Sequence, residues 1–271
     1  MTAASETIDQ ASLADDLALL KDAAAEAGKV ALRYFGKNPG VWMKDGSSPV
    51  SEADIAIDRY LMQRLMAARP DHGWLSEETA DNLSRLQARR TFVIDPIDGT
   101  RAFIDGRETW CVAIAIVEAG RPIVGVLDCP AKGEVYAATA GGGAFKNGTR
   151  LTVRQPQGQI VVAGAKPLLD AAPEILQRRW KRVSYIPSLA YRVAMVADGS
   201  LHATFVKPSS KDWDLAAADL ILEEAGGKIL DAGGNRLTYA GREVTHGALV
   251  AGSGDLLDQM AAVIRDLKAG Q

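Results

Sequence analysis

Four strand-favouring residues, Thr91-Phe92-Val93-Ile94, run directly into Asp95-Pro96-Ile97-Asp98-Gly99-Thr100, where two aspartates three positions apart precede the residues expected to open a helix. No other stretch restricts the fold so strongly. In that order, strand, acidic turn and helix start place two carboxylates and a set of unpaired backbone N–H groups at one strand end. Two carboxylates that close repel, and burying them unpaired leaves desolvated charge. A divalent cation resolves the conflict, and an anion at the helix start completes the reading: a metal-dependent phosphate site. Asp-Gly is also an ordinary turn dipeptide, but the strand before it and its place in mid-chain favour the metal.

The rest of the composition narrows the partner. A net charge of −3 supplies no basic field, so nucleic acid is not expected and a small molecule fits better. The two cysteines, Cys111 and Cys129, sit in apolar strand-like surroundings and read as buried reduced thiols. Met1 to Gln10 has neither the basic nor the apolar region of a signal peptide, and no apolar run approaches the ~18 residues of a membrane span. The expected location is the cytoplasm, away from any membrane.

Periodicity predicts a first amphipathic helix over Ser12–Phe35, a loop or hairpin around Val41-Trp42-Met43-Lys44 with turns at Pro39-Gly40 and Asp45-Gly46, and a second helix from Ser51 to about Ala68 opened by a capping box with Asp54. A short strand then delivers Glu77-Glu78. From Cys111 to Ala138 three strands follow one another without long helices, which predicts a largely antiparallel sheet, and Asn147-Gly148 adds a hairpin. Gly141-Gly142-Gly143 lacks a following helix pattern and reads as a turn, not a phosphate loop. Beyond Thr152, strands at 160–163, 183–186, 201–206, 228–230 and 248–251 alternate with helices at 167–178, 188–197, 213–224 and 254–267. The expectation is an N-terminal α+β half, residues 1–150, with most of the acidic ligands, and a C-terminal α/β half, residues 151–271, sharing an extensive interface.

Several acidic residues have bland readings as well. Asp214, in the first turn of the helix opened by Trp213, suits the helix dipole; Glu77-Glu78 could be a solvated pair, and Asp54 no more than a cap. An aspartyl-phosphate mechanism, which uses two aspartates two apart near the chain start, is disfavoured by the spacing of three and the intervening Pro96.

Taken together, Asp95-Pro96-Ile97-Asp98-Gly99-Thr100 and Trp213-Asp214, with its helix ending Glu224-Ala225-Gly226-Gly227, resemble the two signatures of the magnesium-dependent, lithium-sensitive inositol monophosphatase family, and the likeness runs from about Lys44 to Gly227. The resemblance implies an α/β fold, a layered αβαβα sandwich of the inositol monophosphatase/fructose-1,6-bisphosphatase type. It implies two or three Mg²⁺ held by Glu77, Asp95, Asp98, Asp214 and the backbone carbonyl of Ile97, inhibition by Li⁺, and direct attack of water on a phosphomonoester. Thr100, with Asp54 behind it and Glu77 assisting, would orient and deprotonate the water. Gly99 and Thr100 N–H groups would grip the phosphate, and Lys44 would serve a loop that admits metal.

Specificity is expected from the second half. Lys207 stands six residues before Trp213, where inositol monophosphatases usually carry a glutamate; a lysine accepts no hydrogen bonds but can pair with a second phosphate. Ser188, Leu189 and Asp214 would line the same pocket. Ser76 before the glutamate pair and Gly99-Thr100-Arg101-Ala102-Phe103-Ile104 look more like the 3′(2′),5′-bisphosphate nucleotidase branch, though a histidinol-phosphate phosphatase branch shares the second string. Adenosine 3′,5′-bisphosphate is therefore the leading substrate, with inositol 1-phosphate and histidinol phosphate as alternatives. An RNA- or transcription-linked role would rest on Arg178-Arg179-Trp180-Lys181-Arg182, which reads more simply as a solvated helix end and strand start. His72, His202 and His246 are too scattered for a zinc motif. Dimerisation is common in the family, so a homodimer is an expected assembly.

Overall fold

A computed structural model describes residues 10–37, 39–44 and 48–269; the Asp45-Gly46 turn, the first nine residues and the Lys44 side chain lie outside the described part. Helix α1 (Gln10–Tyr34) buries Leu13, Leu20, Ala24, Ala27 and Ala31 on one face, as their spacing predicts. Strands β1 (Val41–Lys44) and β2 (Ser48–Ser51) form an antiparallel ribbon that leads into α2 (Glu52–Ala68). Strand β3 (Gly73–Ser76) and a 3₁₀ turn at Ser84–Gln87 precede β4 (Arg90–Asp98), α3 (Thr100–Ile104) and the antiparallel run β5 (Cys111–Glu118), β6 (Arg121–Cys129), β7 (Glu134–Thr139), β8 (Gly143–Lys146) and β9 (Thr149–Arg150). These make a seven-stranded sheet in the order β3-β4-β5-β6-β7-β8-β9, parallel only between β3 and β4.

The remaining elements are β10 (Ile160–Ala163), α4 (Lys166–Asp170), α5 (Glu174–Gln177), β11 (Trp180–Arg182), α6 (Leu189–Ala197), β12 (Ala203–Val206), α7 (Asp212–Glu224), β13 (Lys228–Asp231), β14 (Leu249–Gly252) and α8 (Gly254–Ala269). A second sheet has the order β11-β10-β12-β14-β13. Two expectations fail here. The helix expected over 167–178 is two short helices, because Pro173 has no N–H to donate and disfavours helical geometry in Ala172 before it. The strand expected at 183–186 lies earlier, with Ile160 paired to Trp180, whose side chain packs into the outer core beside Phe205. Only the Val183 N–H bond to Val162 O extends that pairing.

Three apolar clusters define the layers. Helices α1 and α2 cover one face of the large sheet through Leu20, Ile57, Phe92, Ile94 and Ile114. Helices α6 and α7 lie between the sheets, packing Val193, Leu215 and Ile221 with Val93, Cys111 and Ala113 of the large sheet. Helices α4, α5 and α8 close the outer face of the small sheet through Leu169, Leu176, Met260 and Ile264. Mixed sheets between helical layers make this the αβαβα, α/β architecture that the resemblance implies. Close approach of α7 depends on small residues: a Cβ on Gly125 of β6 would sit 2.9 Å from Ala217 O, so glycine facing Ala216-Ala217-Ala218 lets the helix rest on the sheet. That contact carries the first turn of α7, and Asp214 with it, over the end of β4.

Candidate active site

In a regular strand, residues three apart point to opposite faces. Asp95 and Asp98 escape this because β4 continues past Ile94 as a bulge: Asp95 pairs with Ala113 and Asp98 with Cys111, so three steps on β4 match two on β5. Both aspartates therefore share the face of Val93, toward α6 and α7, while Ile97 packs on the other side with Phe92 and Ile94. Pro96, which donates no N–H, is tolerated at such a bulge. The Ile97 N–H donates to Asp95 Oδ1 at 3.0 Å and stiffens it.

Asp98 meets the start of α6. Its Oδ2 accepts the Ser188 hydroxyl and the Ala190 N–H at 2.7 Å, and its Oδ1 accepts the Leu189 N–H at 3.1 Å. The carboxylate thus satisfies helix N–H donors that lack partners within the helix. Ser188, the N-cap, uses the same oxygen to accept the Tyr191 N–H. Gly99 makes the approach possible: at φ +93° it takes a conformation costly to other residues, and a Cβ there would lie 2.9 Å from Ser188 Cβ.

On the opposite side, Asp54 Oδ2 accepts the Ser51 N–H and hydroxyl at 2.9 and 2.5 Å. Its other oxygen faces the Thr100 hydroxyl at 3.3 Å, which also lies 3.1 Å from Ile97 O. One helical turn on, Asp58 accepts from Ser76 Oγ at 2.5 Å and Thr79 Oγ1 at 2.6 Å, bracketing the segment that carries Glu77 and Glu78. Asp214 Oδ2 accepts the Lys211 N–H at 2.7 Å.

One carboxylate oxygen each from Asp95, Asp98 and Asp214 lies within 4.8 Å of the others. Burial, then repulsion from Glu77, Asp98 and Asp214, pushes Asp95 well above the usual carboxylate range. Burial raises Asp98 against the opposing pull of its bonds to Ser188, Leu189 and Ala190. Burial and then Asp98 raise Asp214 to about 7, and burial raises Asp54 to about 6 despite its bonds to Ser51. Convergent carboxylates that resist ionising together lack positive charge, and their all-oxygen donor set at this spacing suits a hard divalent cation such as Mg²⁺.

Thus the fold collects Asp54, Asp95, Ile97, Asp98, Gly99, Thr100, Ser188, Leu189 and Asp214, with Glu77 close enough to shift Asp95. Lys207 is exposed one residue beyond β12, in the connection to α7. Lys44 ends β1. Ser188 and Leu189, expected to line a pocket, spend their hydroxyl and N–H on Asp98. The Gly141–Gly143 turn holds a protein carboxylate, Glu224, through two N–H groups at 2.7 and 2.8 Å. In the basic run, Arg178 pairs with Glu174 and Arg182 with Asp170. Both cysteines are free and buried. Sequence reasoning missed Asp58, whose signal was present: it stands four residues after Asp54, on the same helix face.

Among the described residues, no helix is long and apolar enough to cross a membrane. Residues 13–269 match the model of the inositol monophosphatase family, a Mg²⁺-dependent family of phosphoric monoester hydrolases acting on small phosphorylated substrates. The histidinol-phosphatase of Chlorobaculum parvum is 35% identical over 84% of this chain and 87% of its own. The 3′(2′),5′-bisphosphate nucleotidase CysQ of Aggregatibacter actinomycetemcomitans is 30% identical, covering 81% of this chain and 86% of that one, and the inositol-1-monophosphatase of Rhizobium meliloti is 30% identical, covering 92% and 96%. The solved IMPase of Thermotoga maritima superposes with a TM-score of 0.83 at 26% identity, covering 94% of this chain and 99% of that one. The full-length match, the shared fold and the acidic cluster at the bulge agree: this chain belongs to the inositol monophosphatase family, and it is a phosphoric monoester hydrolase.

Proposed function

We propose that this chain releases phosphate from a small bisphosphorylated nucleotide, adenosine 3′,5′-bisphosphate in the first instance, by direct attack of water. The observation that carries the hydrolytic reading is the Asp95, Asp98 and Asp214 cluster. These three, with Glu77 and the Ile97 carbonyl, would hold two or three Mg²⁺, which polarise the phosphate, stabilise the leaving oxygen and acidify bound water. Li⁺ inhibition follows from the same family chemistry. Asp54 keeps one oxygen on Ser51 and turns the other to Thr100. A hydroxyl that donates to Asp54 leaves its lone pair for a proton of the attacking water, so Asp54 acts as base through Thr100. Gly99 and Thr100 N–H groups bind the phosphate. Lys44 belongs to the metal-entry loop, and the protein works in the cytoplasm.

The nucleotide is favoured by Lys207, an exposed cation where inositol phosphatases usually carry a glutamate and a group able to pair with a second phosphate. Histidinol phosphate is the second reading, favoured by the 35% identity to a histidinol-phosphatase. A phosphate-release panel with Mg²⁺ over adenosine 3′,5′-bisphosphate, histidinol phosphate and inositol 1-phosphate decides among them. Preference for the nucleotide that Lys207→Glu abolishes supports the proposal; a preference indifferent to that substitution refutes the specificity argument.

A further inference from the structure

We infer that Arg85, Asp212 and His246 are positioning residues for the metal site, clamping residues 239–246 as a strap between the Glu77 segment and the start of α7. The inference rests on the metal-binding reading above. At one end, the Arg85 guanidinium is buried, with a side chain 1% exposed, and all its bonds serve this junction. Nε and Nη2 reach Asp81 Oδ2 at 3.1 and 2.7 Å, Nη1 reaches Ala240 O at 2.6 Å, and Nη2 reaches Gly241 O at 2.9 Å. Asp81 lies four residues beyond Glu77, so the arginine ties the strap to the glutamate's own segment.

At the other end, Asp212 is fully buried. Its Oδ2 accepts the Ala240 N–H at 2.7 Å, and its Oδ1 lies 2.7 Å from His246 Nε2. Main-chain bonds close the loop: the Asp212 N–H donates to Val244 O, the His246 N–H to Ser210 O and the Ser209 N–H to His246 O. Tyr239 adds a third anchor, its hydroxyl 2.9 Å from Asp219, two helical turns from Asp212 on the same face of α7. Ala240 is held at φ +56° with its carbonyl on Arg85 and its N–H on Asp212, a conformation that L-residues rarely adopt and that persists because both ends are fixed. Asp214 follows Asp212 by two residues. The strap therefore sets the distance between the Asp214 carboxylate, on α7, and Glu77, beside Asp95 on the large sheet.

The test uses the full chain and the variants Arg85→Met, Arg85→Lys, His246→Gln and the double variant Arg85→Met/His246→Gln. Mg²⁺ binding is measured by calorimetry without substrate, alongside the Mg²⁺ dependence of phosphate release and melting in EDTA. Each methionine or glutamine variant is expected to bind Mg²⁺ about 10- to 100-fold more weakly, with kcat at saturating Mg²⁺ within a few-fold of the parent. The losses should fall short of multiplying in the double variant, because both act on one strap, and Arg85→Lys should recover part of the affinity. Mg²⁺ affinity unchanged while melting falls, or losses that simply multiply, overturns the inference. A parent chain that takes up no Mg²⁺ overturns the metal reading with it, whereas a parent that binds and variants that bind equally well overturn the strap alone.

Discussion

Asp98 and Asp214 belong to one acidic cluster, yet their removal should have unequal consequences for the metal-free fold. Asp214→Asn deletes a charge whose pKa stands at about 7 and keeps the Lys211 N–H bond through the amide oxygen. Because the folded pKa lies above the unfolded value near 3.8, the folded state retains a proton that the unfolded chain has released between about pH 4 and 7. Stability of the parent therefore falls as pH rises through that window. Over roughly three pH units the loss is at most about 4 kcal/mol, which Asp214→Asn recovers at pH 8 and not at pH 4. Asp98→Asn relieves the same crowding but has one oxygen for the three donors from Ser188, Leu189 and Ala190, and its amide turns N–H against N–H. One buried donor left unpaired costs about 1–3 kcal/mol, so Asp98→Asn should be less stable than Asp214→Asn by that amount at any pH. Urea unfolding in EDTA at pH 4, 6 and 8 measures both. Equal stability of the two variants, or a metal-free parent that gains stability from pH 4 to 7, would refute the reasoning. Both variants should lose Mg²⁺-dependent phosphate release.

Two further outcomes follow from the same geometry. Gly99→Ala places a methyl against Ser188 and an L-residue at φ +93°, which should cost about 1–2 kcal/mol and lower activity by loosening Asp98 from α6, seen by comparing melting and kcat. Asp54, raised to about 6 without metal, must be ionised to act; Mg²⁺ lowers that value, so kcat/KM should fall tenfold per unit on the acid side at or below pH 6, and Asp54→Asn should cost about 10²- to 10⁴-fold, an unchanged acid limb in the variant counting against Asp54 as base.

Elements with a clean period were legible: α1 from its Leu and Ala spacing, α2 from its capping box, and the antiparallel run from Cys111 onward. Pro173 is the visible signal for the break between α4 and α5. At β4 the difficulty was physical, since a bulge interrupts the alternation that reveals a strand, so the pattern ended at Ile94 while the pairing ran to Asp98. The acidic residues were recognisable as types, but their company was not. That Asp98 meets Ser188 across ninety positions, or that His246 reaches Asp212, depends on stacking two sheets around α6 and α7, which no local window records.

The Asp98 contact with α6 also bears on the order in which the molecule comes into being. Chain synthesis delivers β4 long before α6 and α7, and Asp95 and Asp98 emerge without Asp214 or the helix start that engages Asp98. A nascent chain at that stage has two of the three clustered carboxylates and no enclosure around them, so on the metal-binding reading proposed above Mg²⁺ capture would wait for the inner helices to dock. On the same reading cation uptake would be a late event in biogenesis, and a bound ion would certify that both sheets have assembled.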